Sequence, residues 1–314
     1  MKDFQLRNDT KLLFRNDPAA DLAAISAGKK TLFVYGGGSA KKNGCYEDVK
    51  NAVESAGGTF YELVDASREL ETIEKGIQLV KENGIELVIG AGEANIMDCA
   101  KLIAFGTYHA DDLWAYVKAE KNPYGLKKLP LLLMPTYPSS GSEYGMGAVS
   151  ADSRTGDFGT AYGITADTAI LVPKYSMTLG TEMTAYTGLV TLVQLSASTI
   201  GDKNPVSYDI YELEFIPEVL YGASYRKSLT TLFPRFLKAM AKYHAADIRS
   251  YFRDAFGYEG SIEESADQML RLFAQLGIDM YFDGKVSEDR IKKIEIATLL
   301  SPKEVTGIMK DCLR

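Results

Sequence analysis

The residues of this chain best suited to bind a ligand lie in three polar segments, each of which follows a short apolar run. The first segment is Gly36-Gly37-Gly38-Ser39, which follows residues 31–35 and precedes Lys41 and Lys42. The N–H groups of a glycine turn at the start of a helix bind anions, and the two lysines add positive charge there. A flexible turn without a ligand is the alternative. We predict an anion site at this turn.

The second segment, from Gly90 to Asn95, follows the apolar residues 87–89 and has the same arrangement of strand, turn and helix. It differs from the first in carrying the acidic residue Glu93. Two negative charges ~4 Å apart repel each other by several kcal/mol at intermediate dielectric, so a carboxylate here opposes a phosphate. The sequence leaves open whether this second turn binds an anion.

The third segment follows the apolar run 131–134 and begins with a turn bounded by Pro135 and Pro138. Ser139, Ser140, Gly141, Ser142 and Glu143 come next. Three hydroxyls, one glycine and one carboxylate would therefore stand at the carboxyl end of a buried strand, where parallel sheets bind their ligands. Serines that merely cap a helix are the alternative. We predict a ligand-binding loop.

The two histidines, His109 and His244, are far apart in the sequence, and we expect both at the surface. The chain therefore has too few imidazoles for a histidine-based metal site. No cluster of acidic residues shows the spacing of ligands for a hard cation.

The pattern around these segments predicts alternating strands and helices in units of ~30 residues, which is typical of a parallel, doubly wound sheet. Helices are expected through 49–53, 70–80 and 95–105, and extended pieces around Phe4, Leu6 and 12–14. Such an amino-terminal edge strand would need a partner. The predicted strands of the sheet are 31–35, 59–64, 87–89, 131–134 and 168–172.

After the third segment, residues 146–150 and 158–162 flank a turn-forming sequence and predict a hairpin. From Thr181 onward helical periodicity dominates. We therefore predict an α/β, Rossmann-like domain over residues 1–176 and an all-helical domain over residues 177–314, with a ligand crevice between them.

Composition narrows the class of protein. The chain is 46% apolar, and its length of 314 residues suggests about two domains. Its net charge of -7 argues against nucleic acid or an anionic membrane as a partner. Three widely spaced cysteines suit free thiols in a reducing compartment. The first residues contain no apolar signal region, and no apolar run approaches the ~20 residues that span a bilayer. We expect a cytoplasmic protein with a small-molecule ligand.

Several segments resemble the iron-dependent alcohol dehydrogenase family of the dehydroquinate-synthase-like superfamily, and most closely its butanol dehydrogenase branch. The likeness extends well over about residues 1 to 200 and loosely beyond. In the amino-terminal segment, Asp9 stands where the family usually has proline. The segments that carry the resemblance are Asn8 to Phe14, Tyr35 to Gly44, Asp98-Cys99-Ala100-Lys101, Thr136 to Glu143 and Thr187-Gly188-Leu189.

The resemblance implies a nicotinamide nucleotide in the crevice and a homodimer in which the amino-terminal strand pairs with another subunit. An uncharged first turn implies NADP, since an acidic residue there favours NAD. Two departures weaken the nucleotide site: the second turn reads Gly92-Glu93-Ala94-Asn95 instead of Gly-Gly-Gly-Ser, and Phe158 replaces an expected lysine. The implied cofactor-binding residues are Gly37, Gly38, Ser39, Lys41, Gly92, Ala94, Asn95, Asp98, Thr136, Ser140 and Ser142.

The family also holds iron or zinc with one Asp and three His of the helical domain, and here the chain departs further. The first two ligand positions fall at Val190 and Gln194, and the fourth falls near Tyr225. The third belongs to a region that is shortened between Pro217 and Tyr225. The resemblance therefore implies that iron and zinc are absent.

Two hypotheses follow for the function. One is an NADP-linked alcohol or aldehyde oxidoreductase that works slowly without a metal and uses a tyrosine hydroxyl as its electrophile, with Tyr144, Tyr162 and Tyr186 as candidates. The other is a catalytically silent relative that binds a nucleotide, a metabolite or a protein partner.

Overall fold

A computed structural model describes residues 7–136, 138, 140–201, 206–292, 294 and 296–314 of the chain. The chain forms two compact units, of which the second begins at Leu179. The extended pieces predicted around Phe4 and Leu6, and the predicted loop residue Ser139, lie outside the described residues.

The first unit is built on a six-stranded sheet in which every pair of neighbouring strands is parallel. The strand order is β1-β8-β5-β4-β2-β3. The strands are β1 (Lys11–Phe14), β2 (Lys30–Tyr35), β3 (Thr59–Leu63), β4 (Leu87–Gly92), β5 (Leu131–Pro135) and β8 (Thr168–Leu171). Between β5 and β8, strands β6 (Gly147–Asp152) and β7 (Asp157–Tyr162) form the antiparallel hairpin that the sequence predicts. The doubly wound sheet is thus confirmed.

Helices cover both faces of the six-stranded sheet, which explains the continuous apolar runs of its central strands. All six residues of β4 are buried. Leu22, Val49 and Val53 pack on one face, and Ile73 and Ile77 pack in a separate cluster on the other. The helices of this unit are α1 (Ala19–Ser26), α2 (Ser39–Lys42), α3 (Cys45–Ser55), α4 (Leu70–Asn83), α5 (Ala94–His109) and α6 (Leu113–Val117).

Two details of these helices differ from the prediction. The helix after the first glycine turn is not continuous, because Asn43 and Gly44 separate the four-residue α2 from α3. Gly44 has a φ of +85°, a left-handed conformation that glycine adopts without strain. The second difference is that α5 continues past Phe105 to His109, whose ring stacks on that of Phe105 at 4.3 Å between centroids.

The second unit is helical, as the sequence predicts, and its buried side chains form one core cluster. Its helices are α7 (Thr181–Thr199), α8 (Ser207–Leu213), α9 (Phe215–Tyr221), α10 (Tyr225–Phe256), α11 (Ile262–Gln275), α12 (Glu288–Ile291) and α13 (Pro302–Asp311). Among the described residues, no helix combines the length and the apolar character needed to cross a membrane.

His244 lies at a kink in α10, where its φ of -130° and ψ of 32° depart from helical values. The predicted surface position of this histidine is wrong. Its side chain is only 13% exposed, and its Nε2 is buried without a hydrogen-bond partner among the described residues. His109 is half-buried, with Nε2 3.0 Å from the carbonyl oxygen of Lys127.

Candidate functional site

The order of the strands identifies one position in the α/β unit where a ligand is expected. From β2 the chain moves to β3 on one side and returns to β4 on the other, so the direction of winding changes between β2 and β4. In open parallel sheets, ligands bind at the carboxyl ends of the strands beside such a switch point. The pairing of Tyr35 with Ala91 brings the ends of β2 and β4 together. Both glycine turns of the sequence therefore flank this position.

The first turn, Gly36 to Gly38, leaves open space above the end of β2. A Cβ atom built on Gly38 would have no other atom within 4 Å, so nothing in the described chain requires glycine there. One built on Gly37 would lie 3.3 Å from Oδ1 of Asp65, an acidic residue that follows β3. The turn is thus uncharged itself but has a carboxylate beside it.

Lys41 is exposed and lies over aromatic rings near this turn. Its Nζ is 4.8 Å from the centroid of the Tyr46 ring and 5.8 Å from that of Tyr35. These distances are typical of cation–π contacts, in which an ammonium group is attracted to the face of an aromatic ring. Because α2 has only four residues, Lys41 and its neighbour Lys42 also form the last turn of that helix.

The second turn joins β4 to α5 with close packing. A Cβ on Gly92 would lie 2.7 Å from the side chain of Ile96, so this glycine is required by the approach of the helix. The carbonyl oxygen of Glu93 accepts hydrogen bonds from the N–H groups of Ile96 and Met97. Nearby, Oδ1 of Asn95 is buried and has no hydrogen-bond partner within the described residues. A buried acceptor of this kind is uncommon and is available to accept a hydrogen bond from a ligand.

Asp98 and Ser142, both predicted to bind the cofactor, meet in a buried network with Lys101. Ser142 Oγ donates to Asp98, whose other carboxylate oxygen accepts from the N–H of Val149 at 3.1 Å. Lys101 Nζ donates to Ser142 Oγ at 3.1 Å. It also donates to the carbonyl oxygens of Gly145 at 2.9 Å and Gly147 at 2.7 Å. These contacts fasten the loop after β5 to α5.

The network is an unusual environment for a lysine. Lys101 is fully buried, and Nζ lies 3.8 Å from Asp98 Oδ1. Burial lowers the pKa of Lys101 to about 8, and the charge of Asp98 opposes this effect. Sequence reasoning missed Lys101, although its position three residues after Asp98 places both on one face of α5.

The loop before this network also lies beside the second turn. The N–H of Thr136 donates to the carbonyl oxygen of Gly92 at 3.1 Å, and Thr136 is buried. Ser140, by contrast, is exposed. The structure thus brings Thr136 and Gly92 together with the start of α5. Ala94 and Asn95 carry the first N–H groups of that helix.

The three candidate tyrosines have different surroundings. Tyr144 and Tyr162 are exposed in the α/β unit, by 43% and 67% respectively. Tyr186 is buried in the core of the helical unit, and burial raises the pKa of its hydroxyl. No hydrogen bond to any of the three hydroxyls is found among the described residues.

In the helical unit, two of the positions that the resemblance aligns with metal ligands lie in contact. Gln194 Nε2 donates to Tyr225 Oη at 3.0 Å, and Val190 lies one turn before Gln194 with its side chain buried. Burial raises the pKa of Tyr225 above its usual range, and the nearby Glu214 and Tyr211 add to this effect. Val190 has no donor atom for a metal. Among the described residues, no group of three or more His, Cys, Asp or Glu side chains is arranged to hold a metal ion.

Comparison with known proteins agrees with this architecture. The family model for iron-containing alcohol dehydrogenase matches residues 9–175, just over half of the chain. NADH-dependent butanol dehydrogenase A of Clostridium acetobutylicum is 34% identical over 166 residues, which are 50% of this chain and 41% of that protein. The NADPH-dependent aldehyde reductase YqhD of Escherichia coli is 28% identical over 184 residues, which are 57% of this chain and 47% of that protein. The chain thus matches about half the length of these curated relatives.

Solved structures extend the likeness of fold to the whole chain. The crystal structure of NADH-dependent butanol dehydrogenase A from Thermotoga maritima has a TM-score of 0.84 and covers 100% of this chain and 99% of its own, at 19% sequence identity. The YqhD crystal structure from E. coli has a TM-score of 0.83, also at 19% identity. Taken with the match of the family model, these results show that the chain belongs to the iron-containing alcohol dehydrogenase family.

Proposed function

We propose that this protein binds a nicotinamide dinucleotide at the switch point between β2 and β4 and is an NAD(P)-linked oxidoreductase of small alcohols or aldehydes. The observation that carries the proposal is the pair of turns at the switch point, with open space at Gly38 and a buried acceptor at Asn95 that has no partner among the described residues. The relatives, which include butanol dehydrogenases and an aldehyde reductase, support the substrate class.

The residues at the switch point fit such a group. The N–H groups of the first turn and of residues 94 and 95 at the start of α5 would face the phosphates, since the first N–H groups of a helix have no partner within that helix. The network of Asp98, Lys101 and Ser142 would hold the loop after β5 in place. A bound nicotinamide supplies the hydride chemistry. Both NAD and NADP are candidate coenzymes, because the uncharged turn favours NADP, whereas Asp65 beside it opposes a further phosphate.

The metal chemistry of the family does not fit the residues of this chain. Iron and zinc sites use imidazole, carboxylate and thiolate donors. The corresponding positions hold an alkyl side chain at Val190, an amide at Gln194 that donates to Tyr225, and a phenol that burial keeps protonated. We therefore propose that the protein works without iron or zinc. A tyrosine acting as general acid contributes about 10²- to 10⁴-fold, so turnover is expected to be slow. Tyr144, Tyr162 and Tyr186 are its candidates.

A second candidate function is a silent relative that binds a nucleotide, a metabolite or a protein without turnover. Two observations favour it. Gln194 and Tyr225 form a hydrogen bond with each other instead of offering ligand atoms to a metal, and Glu93 brings a carboxylate to the second turn. Because fold alone does not determine function, binding and turnover have to be measured separately.

The test uses the full chain. Isothermal titration with NADH and with NADPH measures binding, and a screen of short aldehydes and ketones with the better-bound coenzyme measures turnover. Gly38→Leu is expected to abolish coenzyme binding while leaving the protein folded, because its φ of -68° suits leucine and its side chain would occupy the open space. Gly307→Leu, on α13 with equally open surroundings, is the matched control.

The outcomes separate the hypotheses. Binding with turnover above background supports the oxidoreductase. Binding that Gly38→Leu abolishes, with no turnover, supports the silent relative. If neither coenzyme binds, the switch point is not a dinucleotide site, and the proposal is wrong.

A further inference from the structure

Asp65 occupies a distinctive place beside the first glycine turn. It follows β3, the neighbour of β2, and the N–H of the next residue, Ala66, donates to the carbonyl oxygen of Tyr35 at 3.0 Å. This hydrogen bond ties the end of β3 to the start of the turn. The carboxylate of Asp65 consequently stands 3.3 Å from the place that a Cβ on Gly37 would take.

The backbone of Asp65 is in the left-handed region, with a φ of +54°. Asp65 and Ala119 are the non-glycine residues with positive φ in the described chain. Asp and Asn tolerate this conformation better than most residues, but it still has a cost, and such residues cluster at functional sites. The conformation keeps the Asp65 side chain beside the turn, where it is exposed and accepts no hydrogen bond from the described residues.

A second carboxylate, that of Glu62, lies at this end of the site, and the ammonium groups of Lys41 and Lys50 lie near the Tyr46 ring. Glu62 Oε2 accepts a hydrogen bond from Tyr35 Oη at 2.8 Å. Burial raises the pKa of Tyr35, and the charges of Glu62 and Asp65 raise it further. Lys41 keeps its positive charge over the ring of Tyr46 and offsets part of this negative charge. A second phosphate placed beside Gly37 would nevertheless meet the carboxylate of Asp65.

A general rule of dinucleotide sites connects this geometry to the coenzyme. An acidic residue at the end of the strand next to the glycine turn accepts hydrogen bonds from the ribose hydroxyls of NAD, and it repels the 2′-phosphate of NADP. Specificity often rests on such a repulsive element against the competitor. Resting on the proposed function, we infer that Asp65 determines coenzyme choice in this protein and makes it select NAD over NADP. The choice of NADP suggested by the uncharged turn is thereby reversed.

The test measures affinities and does not depend on turnover. Isothermal titration of the full chain gives the Kd for NADH and for NADPH, and the expected ratio of Kd for NADPH to Kd for NADH is above one. Asp65→Asn should lower that ratio about ten-fold or more, because it removes the charge but keeps a side chain that tolerates a positive φ. Asp65→Gly, which removes the side chain altogether and suits the same φ, should act in the same direction.

Asp111→Asn is the matched control. It removes one exposed aspartate of the same unit just beyond the far end of α5, and it should leave the ratio unchanged. If the wild-type protein prefers NADPH, or if both Asp65 variants bind the coenzymes with the wild-type ratio, the inference is wrong while the proposed function stands. If the wild-type protein binds neither coenzyme, the proposed function fails and the inference fails with it.

Discussion

Removal of the buried Lys101 side chain should be costly to the α/β unit. In Lys101→Met the carboxylate of Asp98 stays buried without its cation, and the carbonyl oxygens of Gly145 and Gly147 lose their donor. Breaking a buried charge pair from one side typically costs about 3–5 kcal/mol of unfolding free energy. Urea denaturation followed by the fluorescence of Trp114 measures it, since the single tryptophan of the chain lies in this unit.

The exposed Lys75→Met is the control and should change the unfolding free energy by less than about 0.5 kcal/mol. A loss below about 1 kcal/mol for Lys101→Met would mean that the network does not stabilise the fold. Asp98→Asn combined with Lys101→Met should recover part of the loss, because Asp98→Asn removes the uncompensated charge.

Single residues were the least predictable part of the molecule. The sequence pattern identified the glycine turns and the loop after β5, because strand-turn-helix junctions have a local signature. It did not reveal that Asp98 and Ser142 are used within the protein, since that depends on Lys101 being buried between them. Asp65 was also missed, because its contact with the turn joins two strands that are separated in sequence and adjacent in the sheet.

Among the elements, α13 gives a prediction for the effect of pH. The carboxylate of Glu304 contacts Lys242 and accepts hydrogen bonds from Ser301 Oγ at 2.6 Å and from the N–H of Ser301 at 2.8 Å. These contacts together lower the pKa of Glu304 to about 2. A carboxyl whose pKa is lower in the folded state stabilises the fold above its unfolded pKa, here 4.5. That contribution is lost as the pH falls from about 4.5 to about 2.

Glu304→Gln removes this contribution, so the difference in melting temperature between wild type and variant should be largest at pH 6 and shrink toward pH 2. Circular dichroism melts at pH 6, 4 and 3 measure it. Glu259→Gln, at an exposed position before α11, is the control and should show a smaller difference at pH 6. A difference for Glu304→Gln that stays constant with pH would show that the carboxylate is not ionised preferentially in the fold.

Strands and long helices followed from periodicity because burial imposes it locally. Ile73, Ile77 and Val80 on α4 are buried as the 3.6-residue period predicts. The interruptions of the helices were harder to predict. Gly44 interrupts the first helix with a positive φ. The kink in α10 lies at His244, where the sequence has no Pro or Gly that would predict it. Such breaks depend on what the helix packs against, which one sequence does not display.

For the whole molecule, a homodimer remains our prediction, and β1 offers a way to test it. This strand lies at the edge of the sheet and uses the N–H of Lys11 to pair with the chain before β8. The N–H of Leu12 points the other way because alternate residues face opposite edges. Leu12→Pro therefore removes an outward donor without breaking the pairing with β8, and it should convert a dimer to a monomer.

Sedimentation velocity at micromolar concentration measures this change. Leu12→Val, which retains the N–H, is the control and should remain dimeric. A wild-type protein that sediments as a monomer would contradict the prediction. So would a Leu12→Pro variant that stays dimeric, because the edge of β1 would then not be the interface.

The metal content of the whole protein is the last prediction. A cation near α7 would exchange bound water for the side chains of Val190, Gln194 and Tyr225, which have respectively no donor, a neutral amide and a phenol whose pKa burial raises. These ligands are poorer than the water lost, so protein purified without chelator should carry iron and zinc well below one equivalent. Elemental analysis by mass spectrometry measures both metals.

A variant that restores the family's donors provides the matched comparison. Val190→Asp, Gln194→His and Tyr225→His together supply one carboxylate and two imidazoles, and Gln194 and Tyr225 already lie within hydrogen-bond distance of each other. Three such donors and a water suffice for zinc, so the triple variant should bind about one equivalent. One equivalent of iron or zinc in the wild-type protein, lost on Gln194→Ala, would show instead that the natural side chains do form a metal site, because the amide would then be one of its ligands.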